Sequence, residues 1–237
     1  NIKIRVGTGY RWYSFFFNRK VYEHRKYAKK HELEYNVGLL QKLNINETTN
    51  SLNVKFDLSV NTKALAKVES ILKLRNVDLS KPIIIIHPGS GGSAVDLPIE
   101  KYEMLIEKLP NSVFQVIVTG NKNEIEICNK LIVSDKVKNL AGLFNLEELT
   151  ALISISKIFI SNSTGPLHIA SALGKHVVGF YPKILACSAE RWGPYTSKKL
   201  VYVPEIDCMD CTREQCEKLN CMNSISIDKV FADIQKI

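Results

Sequence analysis

The sequence predicts an α/β fold built on a doubly wound parallel sheet. Three observations predict it. Short runs such as "PIIIIH" (82–87) and "VFQVIVTG" (113–120) are apolar without alternation, the pattern of strands covered on both faces. Amphipathic helical patterns are interleaved with them, as a parallel sheet with crossover helices requires. Small-residue loops join strand to helix at 87–93 and 161–165.

The elements follow in order. "IKIRV" (2–6) reads as a short strand, "YRWYSFFFNRKVY" (10–22) as an aromatic basic stretch, and residues 27–43 as a helical pattern. "NINETTNSLN" (44–53) is polar and turn-rich, a linker that divides the chain into units at 1–60 and 61–237. After it come the strand "PIIIIH", the helix "IEKYEMLIEKL" (99–109), the strand "VFQVIVTG", and the helix "KNEIEICNKLIV" (122–133). A short "VKNLAG" precedes the helix "LEELTALISI" (146–155), whose start is marked by Asn145 and Glu148 as a capping box. The strand "KIFIS", the helix "PLHIASALG" and the strand "HVVGFY" (176–181) complete the pattern.

The chain is 45% hydrophobic, which supplies a core, but no apolar run approaches the roughly 20 residues that cross a membrane. No signal peptide opens it, so a cytoplasmic protein is expected, and a start at Asn1 rather than Met implies chain upstream. Net charge is +8. Residues 1–30 carry nine basic residues against the single acid Glu23, which accounts for the whole excess. Such a face concentrates anionic partners; nucleic acid, anionic lipid and phosphorylated glycan all fit it. No nucleic-acid recognition motif is present, so nucleic acid is not expected.

Two loops carry the candidate chemistry. In an open parallel sheet, "HPGSGGS" (87–93) and "SNSTG" (161–165) lie at the carboxyl edge, where ligands bind. Hydroxyls of Ser90, Ser93, Ser163 and Thr164 can donate to phosphate oxygens, and Pro166 at a helix start leaves free N–H donors in front of it. Ordinary turn chemistry explains either loop alone; two in register favour a nucleotide site. Neither is a Walker A or a G-x-G-x-x-G loop. His168 is a candidate phosphate donor or a packing histidine. Glu124 is a candidate for ribose hydroxyls or a first-turn acid that complements the helix dipole.

Cys128 and Cys187 stand in apolar surroundings and read as buried thiols. Cys208, Cys211, Cys216 and Cys221, spaced C-x2-C-x4-C-x4-C, are enough ligands for a tetrahedral zinc site, although reduced thiols in a loop are the preferred reading. No cofactor is expected.

"HPGSGGSAVDLP", "VIVTGNKNE" and "NLAGLFNLEELTALISISKIFISNSTGPLHIASALGKHVVGFY" closely resemble the donor half of the lipopolysaccharide heptosyltransferases, glycosyltransferase family nine. The tail "CMDCTREQCEKLNCMNSISIDKV" resembles that family's cysteine-containing segment, and residues 7–40 the end of its acceptor domain. The resemblance implies a Rossmann-like donor domain of a two-domain GT-B enzyme. Such an enzyme is metal-independent and transfers heptose, with inversion, from a nucleotide-diphosphate (ADP) heptose to a lipid-anchored core sugar.

It also implies that Ser90 and Gly91 form the first phosphate loop, that Glu124 meets the donor ribose, and that Ser163, Thr164, Gly165 and His168 form the second diphosphate site. Arg11, Arg25, Lys30 and His31 fall on the acceptor side, facing an acidic glycolipid at the inner membrane surface. Two positions depart from the family pattern. Val95 stands where many members have a phosphate-pairing Lys, and Ser163 where many have Asp. The family's catalytic Asp has no counterpart in the chain and is expected upstream of Asn1, so residues 1–237 alone are expected not to transfer sugar. A glycosyltransferase is the leading reading, and a catalytically incomplete sugar-nucleotide-binding module is the alternative.

Overall fold

The computed structural model describes every residue except 1, 53, 93, 209 and 210. Ser93, one of the candidate hydroxyls, therefore lies outside the described residues.

The N-terminal part contains β1 (Val6–Thr8), β2 (Arg19–Val21) and α1 (Glu32–Gly38), followed by α2 (Thr62–Leu74). Then come β3 (Ile83–His87), α3 (Ile99–Lys108), β4 (Gln115–Val118), α4 (Ile125–Asn129), β5 (Val137–Asn139) and α5 (Leu146–Ser154). The chain continues through β6 (Ile158–Asn162), α6 (Gly165–Ala172), β7 (His176–Phe180), α7 (Ala189–Trp192) and β8 (Lys199–Tyr202), and ends with α8 (Arg213–Lys218) and α9 (Ile227–Ile234).

Strands β3–β8 form a six-stranded parallel sheet in the order β5-β4-β3-β6-β7-β8. Its strands alternate their side chains between two apolar layers. Ile84, Ile86, Val116, Val118, Ile158 and Ile160 face α3 and α9, whereas Ile83, Ile85, Ile117 and Phe159 face α2, α5 and α6. This is why the strand sequences show no alternation: both faces are dry. The Asn145–Glu148 capping box forms as read, with Glu148 N–H donating to Asn145 Oδ1 (2.9 Å) and Asn145 N–H to Glu148 Oε2 (3.0 Å).

The ends of several elements differ from the sequence reading. The first strand lies at Val6–Thr8, not 2–6, because it pairs in parallel with β2 inside the aromatic stretch. The helical pattern at 27–43 is one short helix, α1, flanked by 3-10 turns at Arg25–Tyr27 and Leu39–Leu43. The helix expected at 122–133 ends at Asn129, where Leu131 and Ile132 donate to carbonyls three residues back and Leu131 turns into the core. Cys128 is buried as read, but Cys187 is only half-buried, at the end of a 3-10 turn.

Residues 23–36 dock on the large-sheet unit through polar contacts. Glu32 pairs with both Arg25 and Arg191, Tyr195 Oη donates to Glu34 Oε1 (2.9 Å), and His31 Nε2 bonds to the Gly193 carbonyl (2.8 Å). Around β1 and β2 the aromatic stretch is largely exposed, Trp12 by 83%. Among the described residues, no helix is long and apolar enough to cross a membrane.

Candidate functional site

Strands β3 and β6 are neighbours, yet the chain reaches them through crossovers on opposite faces, so the sheet order reverses between them. That is the topological switch point, where open α/β sheets bind ligands. Both small-residue loops leave the sheet there, from His87 and Asn162.

Buried side chains tie the two loops together. Asn162 Nδ2 donates to the Pro88 carbonyl (2.5 Å), and Asn162 Oδ1 accepts from Leu97 N–H (2.9 Å). Ser161 Oγ donates to the His87 carbonyl (2.8 Å). Its single proton is spent there, so the 3.0 Å contact between Thr164 Oγ1 and Ser161 Oγ is a bond that Thr164 donates. The Thr164 hydroxyl that the sequence offers to a phosphate is thus turned inward. Ser163 bonds to the phenol of Tyr181, which in turn donates to the Trp192 carbonyl (3.0 Å).

What the second loop presents outward is backbone. Thr164 is the extended N-cap of α6, Pro166 follows in the first turn, and the Thr164 side chain makes no capping bond to the helix. A Cβ added at Gly165 would meet nothing within 4 Å, so the space before this N-terminus is open. The arrangement suits an anion.

The first loop turns at Gly91 (φ +56°) and Gly92 (φ +82°), both left-handed. Ser90 Oγ accepts from Ala94 N–H (3.3 Å), and the Ser90 hydroxyl and N–H bond to Asp96. Partial removal from water pushes the Asp96 carboxyl above the usual carboxylate range, against the pull of those Ser90 bonds. Glu124 lies across the same loop: a Cβ on Gly89 would stand 2.0 Å from Glu124 Oε1. Its other oxygen accepts from Asn121 N–H (2.8 Å), so Glu124 is a capping acid as well as a wall of the site. Behind the loop, His87 bonds to Thr119 Oγ1 (3.0 Å), and burial holds its ring below the usual histidine range.

The structure therefore brings Ser90, Gly91 and Glu124 to one loop, and Ser163, Thr164 and Gly165 to the loop beside it. His168 is on α6, three residues after Gly165. It lines a mostly apolar cavity of about 500 Å³ between α6 and α1, together with His31, Leu33, Phe56, Trp192 and Tyr195. Burial, and then the neighbouring His31, lower its pKa.

On the N-terminal side, Thr8, Tyr10, Arg11, Glu23, His24, Arg25 and Lys26 line a depression of about 320 Å³ beyond the carboxyl ends of β1 and β2. Arg25 is held by Glu32, and Lys30 by Glu23 (2.5 Å), whereas Arg11 and Lys26 are exposed.

Cys208, Cys216 and Cys221 are buried in the apolar layer of α3 and α9, with Cys211 packed at its edge. Burial, and then Cys221, push the Cys216 thiol up to about 12. All six thiols are free, and among the described residues no group of three or more His, Cys, Asp or Glu is placed to hold a metal ion.

The sequence reading missed Asn162, which joins the loops, as well as Asp96 and Arg213. Asn162 had one signal, a polar residue ending an apolar strand. Arg213 had none, because it reaches the first loop from 119 to 121 residues away in the chain.

Comparison with known proteins agrees with this architecture. A lipooligosaccharide heptosyltransferase 2 from Campylobacter jejuni is 25% identical over 228 residues, covering 92% of this chain and 68% of that protein. The crystal structure of a family 9 glycosyl transferase from Veillonella parvula superposes with a TM-score of 0.81 at 17% identity, over 100% of this chain and 67% of that one. The ADP-heptose lps heptosyltransferase II of E. coli gives 0.74 at 19% identity, over 99% and 70%. These similarities show the fold, and the chain spans about two thirds of each relative's length. The sequence model of glycosyltransferase family 9 (heptosyltransferase) matches residues 1–222, nearly the whole chain, and the chain belongs to that family.

Proposed function

We propose that the switch-point loops bind the nucleoside-diphosphate end of an ADP-heptose, and that residues 61–237 are the donor-binding unit of a heptosyltransferase. The observation that carries this reading is the pairing of two small-residue loops on adjacent strands, one opening onto the N-terminus of α6, which Thr164 leaves uncapped by its side chain. Ser90, Gly91, Thr164 and Gly165 frame the diphosphate, and Glu124 stands where it can accept ribose hydroxyls. Thr164 contributes through its backbone, its hydroxyl being engaged by Ser161. The ADP-heptose named for the E. coli relative supports the choice of donor.

In the transfer, an acceptor hydroxyl oxygen bonds to the anomeric carbon of the heptose as the bond from that carbon to the diphosphate breaks. The nucleoside diphosphate leaves with the electron pair, the hydroxyl proton passes to a base, and the anomeric configuration inverts. The acceptor is a lipid-anchored core sugar of lipopolysaccharide, met at the membrane surface by the basic residues beyond β1 and β2.

Titration of the chain with ADP-heptose, ADP and adenosine tests the donor assignment. ADP-heptose and ADP are expected to compete for one site and to bind at least tenfold tighter than adenosine, the worth of one or two charge-assisted hydrogen bonds. Equal affinity for ADP and adenosine would overturn it.

A further inference from the structure

The switch-point edge has a charge problem. No Lys or Arg occurs between Pro88 and Pro98 or between Ser161 and His168, while Asp96 and Glu124 place two carboxylates on the first loop. A diphosphate there would meet backbone N–H groups together with like charge. Val95, in the middle of the loop, is buried in the apolar layer and presents nothing to the edge.

A cation reaches the loop from the other end of the unit. Arg213, the first residue of α8, donates from Nη1 to the Gly92 carbonyl (2.6 Å) and from Nη2 to the Ala94 carbonyl (3.0 Å). Its Nε donates to Glu217 Oε1 (2.7 Å), one turn along the same helix, which fixes the plane of the guanidinium. The group stands close enough to Asp96 to pull that carboxyl's pKa down. The carbonyls do not neutralise the charge, the Glu217 partner is a half-exposed ion pair that water screens, and three of the five guanidinium N–H groups are used in these contacts. Among the contacts of the described residues, one N–H on each of Nη1 and Nη2 is left to donate to a phosphate oxygen.

The cysteine segment is what holds Arg213 there. Cys216, three residues on and 1% exposed, is buried with Cys208 and Cys221 in the same apolar cluster as Val95 and Leu97. The thiols thus pack α8 against the loop that its arginine clamps.

We propose that Arg213 is the diphosphate-binding cation of the donor site, delivered to the first loop by the cysteine-rich segment. This rests on the reading that the switch point takes a nucleoside diphosphate. Gly91 and Gly92 leave the outer side of the loop open, since an added Cβ at either meets nothing within 4 Å.

The test is calorimetric titration of the 237-residue chain and its Arg213→Gln and Arg213→Lys variants with ADP and with adenosine, thermal melting serving as the check on folding. Gln keeps an N–H for the loop carbonyls and drops the charge; Lys keeps the charge and drops the fork. Arg213→Gln is expected to lose roughly 10–100-fold in ADP affinity with adenosine affinity unchanged within about twofold, and Arg213→Lys to recover part of the loss. ADP affinity retained in Arg213→Gln would overturn the inference and leave the donor reading standing. So would equal losses in the two variants, which would assign Arg213 to clamping the loop alone. If the unaltered chain binds ADP no better than adenosine, the donor reading fails first and takes the inference with it.

Discussion

His31 Nε2 donates to the carbonyl oxygen of Gly193 over 2.8 Å, joining the N-terminal segment to the large-sheet unit across 162 residues of sequence. The other ring nitrogen, Nδ1, accepts from Leu33 N–H (3.1 Å), so the ring is the neutral tautomer with its proton on Nε2. Burial lowers the pKa of His31 despite the Gly193 bond, and that of its neighbour His168 as well. A depressed histidine stabilises the fold fully above its unfolded pKa of about 6.5, and this contribution is lost as pH falls through the lower folded value. Docking of α1 is therefore expected to loosen on acidification from pH 7.5 to 5.5. Amide exchange in Glu32–Gly38, corrected for intrinsic rates, reads this directly, and unchanged protection would count against it.

Asn162 bonds to both ends of the first loop from inside the core. Asn162→Ala leaves the Pro88 carbonyl and the Leu97 N–H buried without that partner, and each such group costs about 1–3 kcal/mol. The variant is expected to lose roughly 2–4 kcal/mol in urea unfolding and to bind ADP more weakly. A loss below about 1 kcal/mol would mean that the loops hold together by packing alone.

Gly165 separates folding from binding. The space around its missing Cβ is empty, so Gly165→Leu is expected to melt within a few degrees of the parent chain. The leucine would stand before the α6 N-terminus and reduce ADP affinity at least tenfold, the loss of one to two charge-assisted bonds. Full ADP affinity in this variant would place the ligand elsewhere.

The basic residues of the first segment divide by their partners. Arg25→Glu sets two acids against each other at Glu32 and is expected to loosen α1, whereas Arg11→Glu with Lys26→Glu leaves the ion pairs intact. The double variant is expected to release the chain from vesicles carrying anionic glycolipid, as does salt once the Debye length falls below about 8 Å. ADP affinity should stay level. A parallel fall in ADP affinity would show that these residues serve the donor.

The six thiols should differ in reactivity. Cys187 and Cys211 are part-exposed, while Cys128 and Cys216 are buried with thiols pushed up to about 12 by burial. At pH 8 a thiol reagent is expected to label the first pair and to spare the second until the protein is unfolded. Early labelling of Cys216 would show that α8 is not anchored as described.

Much of this was legible locally. "PIIIIH" and "KIFIS" are too short and too uniformly apolar for anything but strands covered on both faces, and the loops after them had to turn with small residues. Asn145 and Glu148 announced a helix start because both capping bonds span only three residues. The "STGPLHIA" block marked the helix start for the same reason: it depends on the order of neighbours alone.

What the sequence could determine by itself was which segments are strands, which are helices, and which loops are small enough to let a ligand near the backbone. Tertiary structure alone decided that β3 and β6 are neighbours, that the Thr164 proton goes to Ser161 and not outward, and that Arg213 reaches Gly92 from α8. Local pattern records each residue's preference for water or core over a few positions. The identity of a distant partner depends on which strands pair and which helix ends meet, and that is settled only when the whole chain packs.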